Sequence, residues 1–278
     1  MTSEKLSRLQ NILRSLERVA VAYSGGTDSS LLLKVAFDVL GQGAIGMTAI
    51  SASLATDELA EAEEIARQIG VQHILVNSHE TGDPRYLENT PQRCYFCKTE
   101  VYGELMRHAQ DLGYAVVVDG TNADDVHDHR PGRQAAREWG IRSPLLEADL
   151  TKGEIRQLAR QLELPNWDKP AAACLSSRIP YGTMINLEML AQVEQAEQSL
   201  HRLGLRQLRV RHHDRVARIE VEVQDFPLIL AHRDEILQAI KDSGYQYVTL
   251  DLAGFRSGSL NEVLKDNHGS RETAPASG

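Results

Sequence analysis

In the first half of the chain, short apolar runs alternate with longer stretches in which hydrophobic residues follow helical spacing. Four short apolar runs, each bounded by Gly, Asp, Ser or Asn, have the character of buried parallel strands, at residues 19–23, 44–50, 73–76 and 115–118. Helical spacing precedes them at residues 4–18 and separates them at residues 29–40, 56–69 and about 96–112. This alternation predicts right-handed βαβ units around an open parallel sheet, a Rossmann-like α/β fold.

The pattern changes class in the second half. The polar stretch 122–137 and the segment 163–183 are predicted loops, and between them Thr151 and Glu154 form a capping box at a helix start. From residue 186 the sequence predicts a helix, a hairpin around a His-Asp turn, a helix over 228–240 and a last strand. We therefore expect a Rossmann-like domain over residues 1–182, a small α+β domain over 183–265 and a disordered tail over 266–278.

Composition narrows the class of protein. The chain has 278 residues, 42% of them hydrophobic, and its net charge is −9. The sequence contains neither an apolar stretch long enough to span a bilayer nor a signal peptide, so we expect a cytoplasmic protein without a membrane partner. The negative charge disfavours a nucleic-acid partner. Three cysteines in such a chain suggest reactive or metal-binding thiols.

The stretch Ser24-Gly25-Gly26-Thr27-Asp28-Ser29-Ser30 lies between the first strand and the first sheet helix. Its glycines permit positive φ, and the helix terminus and the hydroxyls would donate hydrogen bonds to a phosphate. A carboxylate there makes sense if it holds Mg²⁺ or orients the loop. The stretch matches neither the Walker pattern nor the dinucleotide fingerprint. A ligand-free N-cap turn is the structural alternative.

The three cysteines allow two interpretations, a metal or cluster site and a purely structural role. Cys94 and Cys97 form a C-x-x-C pair, and Cys174 lies in the long irregular segment. Three converging thiolates could hold an iron-sulfur cluster with one open iron, or zinc with a fourth ligand. The alternative is a set of buried, inert cysteines.

Several segments resemble one known family. The loop resembles the PP-loop, S-G-G-x-D-S, of the ATP pyrophosphatase superfamily. Together with "DGTNADD", "RSPLLEADLTKGEIR", "LPNWDKPAAACLSSRIPYG", "RVRHH" and "LDLAGFRSGSLNEVL", it is similar to the LarE family over nearly the whole chain. The resemblance implies an ATP-dependent sulfur transferase that converts pyridinium-3,5-biscarboxylic acid mononucleotide to its bisthiocarboxylic acid, a step toward the nickel-pincer nucleotide of lactate racemase.

The resemblance also implies roles for particular residues. ATP, its pyrophosphate and Mg²⁺ would be bound at Ser24, Gly25, Gly26, Asp28, Ser29 and Ser30. Cys174 would be the catalytic cysteine. It would join Cys94 and Cys97 as ligands of a labile 4Fe-4S cluster that delivers sulfide, the route we favour because the C-x-x-C pair is present. In the alternative route Cys174 gives up its own sulfur and becomes dehydroalanine.

The substrate-binding residues implied by the family lie later in the chain. Arg209 and Arg211, on one face of a strand by period two, would bind the substrate phosphate, and Arg178 and Glu197 would lie nearby. Ordinary charges on a solvated face are the alternative. Asp124, Asp125, His127, Asp128 and His129 could bind a divalent ion, although a polar loop is the simpler interpretation, and the histidines have no assigned role. Family members are often homo-oligomers, for example hexamers.

Other functions compete with this one. A tRNA thiolase would share the PP-loop and three cysteines but should carry a basic RNA-binding domain. An amide synthetase that uses ammonia would not need the cysteines. A non-catalytic ATP-binding sensor would bind ATP without releasing pyrophosphate.

Overall fold

The computed structural model describes residues 2–127 and 131–261, and it divides the chain into two compact units. The first unit ends at Cys174 and the second begins at Leu175. Across the described ranges, no helix is long and apolar enough to cross a membrane.

A parallel sheet of four strands forms the centre of the first unit. Its strands, in the spatial order β3-β2-β1-β4, are β1 (Val19–Ala22), β2 (Ala44–Ile50), β3 (Gln72–Asn77) and β4 (Val117–Val118). Each pairing between neighbours is parallel. The Rossmann-like α/β fold predicted from the alternation of periods is confirmed.

Helices cover both faces of this sheet. They are α1 (Thr2–Leu16), α2 (Thr27–Leu40), α3 (Thr56–Ile69), α4 (Pro84–Leu87), α5 (Arg93–Asp111), α6 (Pro131–Glu138), α7 (Pro144–Glu147) and α8 (Lys152–Gln161). Val19 and Val21 of β1 share a core with α1, α2, α3 and α8, whereas Ala20 shares one with α5 and α6. A strand with both faces buried produces this alternation.

The strand order creates a crevice at the carboxyl edge of the sheet, between β1 and β4. The connection from β1 to β2 covers one face through α2, and the connection from β3 to β4 covers the other through α5. Open α/β folds bind their ligands where neighbouring connections diverge in this way. The loops at residues 23–26 and 119–122 are the walls of this crevice.

One predicted loop is partly helical. The stretch 122–137 contains a 3₁₀ turn at Ala123–His127 and the start of α6. Proline is well suited to the first position of a helix, and Ala135 and Ala136 are buried in a core shared with α5. The loop prediction for residues 131–137 is therefore wrong, because two small apolar residues are enough to pack one face of a short helix.

The second unit has an α+β arrangement. It contains α9 (Leu187–His201), β5 (Leu208–His213), β6 (Val216–Val221), α10 (Phe226–Ala231), α11 (Arg233–Asp242) and β7 (Tyr247–Leu250). β5 and β6 are antiparallel, and β7 pairs with β6 in parallel. The single helix predicted over 228–240 is two helices, because the backbone at His232 (φ −101°, ψ 22°) leaves the helical region.

Candidate active site

The loop after β1 makes the tight turn that its glycines predict. Gly25 has a φ of +72°, and a Cβ at this position would lie only 2.7 Å from the Cβ of Ala62 in α3. Gly26 precedes α2 with an extended backbone and brings no side chain to the helix terminus. Position 25 therefore requires glycine both for its conformation and for its contact with α3.

The amino terminus of α2 offers hydrogen-bond donors to an anion. The first N–H groups of a helix have no partner within the helix and carry the positive end of its dipole. Ser24 is exposed beside them, and its Oγ lies 3.2 Å from the Oγ of Ser29. Ser29 in turn donates to the carbonyl of Gly26 at 3.1 Å. A loop and helix terminus of this kind can cradle a phosphate.

Ser30 supports the loop from inside. Its side chain is fully buried, and its Oγ accepts a hydrogen bond from Nδ2 of Asn166 at 2.9 Å. Burial also raises the pKa of the neighbouring Tyr23 to about 12, although a hydrogen bond with Ser30 opposes that rise. Ser30 thus differs from Ser24, which is exposed. Asn166 was not predicted as a site residue. It does belong to the segment "LPNWDKPAAACLSSRIPYG", whose family resemblance could have pointed to it.

Asp28 meets the loop that follows β4. Its Oδ2 accepts from Nδ2 of the buried Asn122 at 3.0 Å. Burial raises the pKa of the Asp28 carboxyl, the Asn122 bond opposes the rise, and the charge of Asp125 adds to it. One or two carboxylates beside phosphate oxygens are a typical Mg²⁺ environment, so the Asp28 carboxylate is a suitable ligand for that ion. Asn122 was also missed, although it belongs to the segment "DGTNADD".

Asp119 and Gly120 hold the opposite wall of the crevice. Asp119 is buried and accepts from Tyr102 Oη (3.0 Å), Ser143 Oγ (2.7 Å), and the amide (3.1 Å) and hydroxyl (3.0 Å) of Thr121. A Cβ on Gly120 would lie 3.0 Å from the backbone nitrogen of Ser29. The wall is therefore fixed by hydrogen bonds and packs directly on the start of α2.

The three thiols belong to the same unit as the phosphate loop. Cys94 and Cys97 lie in the first turns of α5, and Cys174 lies in the irregular segment 163–183 as the last residue of the first unit. None of the three forms a disulfide, and Cys94 and Cys174 are exposed whereas Cys97 is half-buried. Burial raises the pKa of the Cys97 thiol, and the charges of Cys174, Glu80 and Cys94 raise it further. Since a charge acts on a pKa only at short range, Cys174 lies within electrostatic range of Cys97.

The thiols are near one another without converging on a point. Within residues 2–127 and 131–261, no group of three His, Cys, Asp or Glu side chains is arranged to hold a metal ion. In number and chemistry, three thiols that form no disulfide fit a cluster with one open iron. Cys174 lies in residues 170–174, which form neither helix nor strand, whereas Cys94 and Cys97 are held by α5.

Two charged residues that were not predicted flank the thiols. Lys98 follows Cys97, and its Nζ lies 5.3 Å from the ring centre of Tyr102. Glu80 is buried and accepts hydrogen bonds from the hydroxyls of three serines, namely Ser51, Ser53 (2.9 Å) and Ser78 (2.7 Å). Isolated charged residues such as these form no local sequence pattern, so sequence reasoning had no signal for them.

Two of the predicted substrate-binding residues pair with each other in the second unit. The guanidinium of Arg178 donates from Nε to Oε1 of Glu197 at 2.9 Å and from Nη2 to Oε2 at 2.7 Å. Oε1 also accepts from the backbone nitrogen of Val210 at 2.8 Å. Both side chains are buried. Arg178 and Glu197 are thus together, as the two halves of a buried bidentate ion pair.

Arg209 and Arg211 differ in their surroundings although both lie on β5. Arg211 is buried and donates to Glu220 Oε2 (3.0 Å), to the carbonyl of Ser177 (2.7 Å) and to Ser259 Oγ (2.8 Å). Arg209 is half-buried, and its guanidinium carbon lies 5.3 Å from the ring centre of Phe255. Of the two, Arg209 is the more accessible.

The acidic stretch after Asn122 makes local contacts. Asp124 accepts from the backbone nitrogen of Lys152 at 2.8 Å, and the carboxylate of Asp125 lies 3.1 Å from Nζ of the same lysine. Asp128 and His129 lie outside the described residues, as does the side chain of His127.

Known proteins resemble the chain over most of its length. A family model described as asparagine synthase matches residues 9–219. The chain is 48% identical to an uncharacterized protein of Synechocystis, over 95% of this chain and 99% of that protein. It is 40% identical to pyridinium-3,5-bisthiocarboxylic acid mononucleotide synthase of Lactiplantibacillus plantarum, over 94% and 95%. The tRNA-specific 2-thiouridylase of Beijerinckia indica is 27% identical over 56% of this chain and 44% of its own length.

Proposed function

Because the chain belongs to the LarE family of PP-loop ATP pyrophosphatases, we propose that it converts pyridinium-3,5-biscarboxylic acid mononucleotide to its bisthiocarboxylic acid. The chain is an ATP-using enzyme that transfers sulfur. The finer assignment is supported above all by a phosphate loop and three cysteine thiols, none of them in a disulfide, within one unit. The product is a thiocarboxylate precursor of the nickel-pincer nucleotide of lactate racemase.

In the first proposed step, a carboxylate oxygen of the substrate attacks the α-phosphorus of ATP. A P–O bond forms, the bond from that phosphorus to the bridging oxygen breaks, and pyrophosphate leaves with the electron pair. Ser24, Ser29 and the amides at the start of α2 would bind the departing oxygens, since they are the donors at this turn. Asp28 would hold Mg²⁺, which neutralises phosphate charge when bound.

In the second proposed step, sulfur attacks the adenylated carbonyl carbon. A C–S bond forms, the C–O bond to AMP breaks, and AMP leaves with the electron pair. For the sulfur source we propose a 4Fe-4S cluster held by Cys94, Cys97 and Cys174, which would supply sulfide from the iron without a cysteine ligand. The proximity of the three thiols supports this source.

The exposure of Cys174 supports a second sulfur source. Its thiolate would attack the carbonyl carbon itself and form a thioester as AMP leaves. Removal of the Cα proton of residue 174 by a base would then break the Cβ–S bond, with the electron pair remaining on sulfur. The products are the thiocarboxylate and a dehydroalanine at position 174, so each chain could act only once.

A double variant separates the two sources. Replacement of Cys94 and Cys97 by Ser removes two of the three cluster ligands and leaves Cys174 intact. After anaerobic reconstitution with iron and sulfide, the cluster route predicts loss of bound iron and of thiocarboxylate product. The sacrificial route predicts one product thiol group per chain and dehydroalanine at position 174, both measured by mass spectrometry.

The second unit would bind the substrate, with Arg209 and Arg211 at its phosphate and with Arg178 and Glu197 close by. The accessible guanidinium of Arg209 supports this role most directly. A homo-oligomer, for example a hexamer, is supported by the exposed apolar side chains of Leu230, Tyr247 and Leu252 in this unit. Light scattering measures the assembly.

A tRNA thiolase is the second candidate, favoured by the similarity to tRNA-specific 2-thiouridylases. The net charge of −9 disfavours it. Pyrophosphate release distinguishes the candidates. The proposed enzyme releases pyrophosphate when the pyridinium mononucleotide is added, and a tRNA thiolase releases it when tRNA is added. An amide synthetase releases pyrophosphate even when its cysteines are replaced, and a sensor does not release it under any of these conditions.

A further inference from the structure

The segment that carries Cys174 is joined to the phosphate loop through one residue, Asn166. Its Nδ2 donates to the carbonyl of Gly25 (2.8 Å) and to Oγ of Ser30 (2.9 Å), and its backbone carbonyl accepts from Oγ1 of Thr27 (2.7 Å). Asn166 is only 3% exposed, so these bonds are shielded from water. Residue 166 is thereby bonded to the turn and to the first residues of α2.

The bonds of Nδ2 are what hold this side chain in place. The carbonyl of Gly25 can only accept, so the amide atom that faces it is the nitrogen. Oδ1 of Asn166 is buried and has no hydrogen-bond partner within the described residues. A buried acceptor without a partner is unfavourable. The conformation therefore depends on the link to the phosphate loop.

A second attachment joins the same segment to α3. Nζ of Lys169 lies 2.8 Å from Glu58 and 2.7 Å from Glu61. α3 also packs on the turn itself, where a Cβ on Gly25 would lie 2.7 Å from that of Ala62. The phosphate loop, α3 and the segment therefore contact one another pairwise.

Cys174 lies beyond both attachments in the sequence. Residues 170–174 form neither helix nor strand, and residues 171–174 are exposed. Since this stretch has no regular structure of its own, the position of the thiol depends on the fixed residues at both of its ends, which are Asn166 and Lys169 before it and the buried Leu175 and Ser176 after it.

We propose that Asn166 is a positioning residue that couples occupation of the phosphate loop to the position of Cys174. A nucleotide bound at the loop restrains Gly25 and the start of α2, and Asn166 passes this restraint to the segment because it is bonded to both. The thiol is then held in fewer conformations when the nucleotide is present. The inference rests on nucleotide binding at the loop, and it does not depend on the substrate or the sulfur source proposed above.

The test measures the alkylation rate of Cys174 with iodoacetamide. In a chain with Cys94→Ser and Cys97→Ser, Cys174 is the only thiol left, because the sequence has three cysteines. We expect a saturating, non-hydrolysable ATP analogue with Mg²⁺ to slow alkylation about fivefold or more, the lower end of typical coupling between sites. Asn166→Ala in the same background should bring the ratio of rates close to one, at analogue concentrations shown by calorimetry to saturate the variant.

The matched control is Lys169→Gln, which removes the attachment to α3 and leaves the bonds of residue 166. This variant should keep the protection. If protection from alkylation persists in Asn166→Ala, the nucleotide shields the thiol directly. If protection is lost in Lys169→Gln, any loosening of the segment has the same effect. Either result overturns the proposal. A parent chain that does not bind the analogue overturns the nucleotide site as well, so the two failures are distinguishable.

A measurement on the unaltered chain covers the case in which Asn166→Ala does not fold. Hydrogen exchange at the amides of residues 167–174 should slow when the analogue binds. Exchange that slows in residues 24–30 and stays unchanged in residues 167–174 overturns the proposal, because the loop would then be occupied without any effect on the segment.

Discussion

The phosphate loop of the first unit and the arginines of the second unit present their polar groups in opposite ways. In the first unit, Ser24 of the loop and Cys174 of the irregular segment are exposed, and Asp28 is half-buried with an amide partner. In the second unit, Arg178 and Arg211 are buried, and each is bound by a carboxylate. The first region can receive a ligand without breaking an ion pair. The second must break an ion pair before either guanidinium can bind one.

The difference distinguishes side chains that are available to bind a ligand from side chains that stabilise the fold. A buried ion pair is costly to disrupt because it leaves the remaining charge without a partner in a desolvated site. The accessible groups at the loop carry no such cost. Of the three arginines singled out by sequence, Arg209 is the one whose surroundings most resemble those of the loop residues.

The largest expected effect is on product formation at the exposed thiol. Cys174→Ala should lower thiocarboxylate formation by about 10³-fold or more, the scale of losing a reacting group. Because residue 174 is exposed, the free energy of unfolding should stay within about 0.5 kcal/mol of the parent's. Liquid chromatography with mass detection measures the product, and urea denaturation the stability. Normal product formation by Cys174→Ala would remove this residue from the reaction.

The next effect is on stability in the second unit. Glu220→Gln should destabilise the chain by about 3 kcal/mol, because Glu220 is buried and pairs with both Arg211 and Arg218. The control is Glu64→Gln, which breaks an exposed pair with Arg67 and should leave the free energy of unfolding nearly unchanged. Equal losses in the two variants, measured by urea denaturation, would contradict the contrast between buried and exposed pairs.

Asp28→Asn should slow pyrophosphate release by about 10²-fold, comparable to losing one charge-stabilising group at a reaction centre. The variant keeps the size of the side chain and removes the negative charge that would hold Mg²⁺. The measurement is the initial rate of pyrophosphate formation over a range of Mg²⁺ concentrations. A rate equal to that of the parent at every concentration would exclude a metal-binding role.

The smallest effect is the pH dependence of stability at the same residue. Folding raises the pKa of Asp28 above its ordinary value of 3.8 through burial, so ionisation disfavours the folded state. The contribution of Asp28 to stability is therefore full below pH 3.8 and is lost as pH rises through the folded-state pKa. Asp28→Asn should be more stable than the parent at pH 7, by on the order of 0.5–1 kcal/mol, and equally stable at low pH. Urea denaturation at several pH values checks this, and a larger gain at low pH would contradict it.

Local sequence explains why the phosphate loop was predictable. Its conformation follows from Gly25 and from the start of α2, residues that are neighbours in the chain. The sheet was predictable too, because buried strands and amphipathic helices each produce a characteristic pattern of hydrophobic residues along the chain. The capping box of Thr151 and Glu154 is likewise confirmed.

The residues that sequence reasoning missed act through partners far away in the chain. Asn166 bonds to Gly25 and Ser30, and Asn122 bonds to Asp28. Nothing in the local pattern around these residues indicates such contacts, since they depend on how distant segments pack. The loop predicted over residues 131–137 failed for a related reason: burial of Ala135 and Ala136 against α5 outweighed their polar neighbours.

The most direct test of the central claim is the ratio of pyrophosphate to thiocarboxylate formed from ATP, Mg²⁺ and pyridinium-3,5-biscarboxylic acid mononucleotide under anaerobic conditions. We predict one pyrophosphate for each carboxylate converted to a thiocarboxylate, which is two for each molecule of bisthiocarboxylic acid, and no formation of either product when the mononucleotide is omitted. Pyrophosphate released without incorporation of sulfur, or at the same rate without the mononucleotide, would contradict an enzyme that adenylates this substrate and transfers sulfur to it.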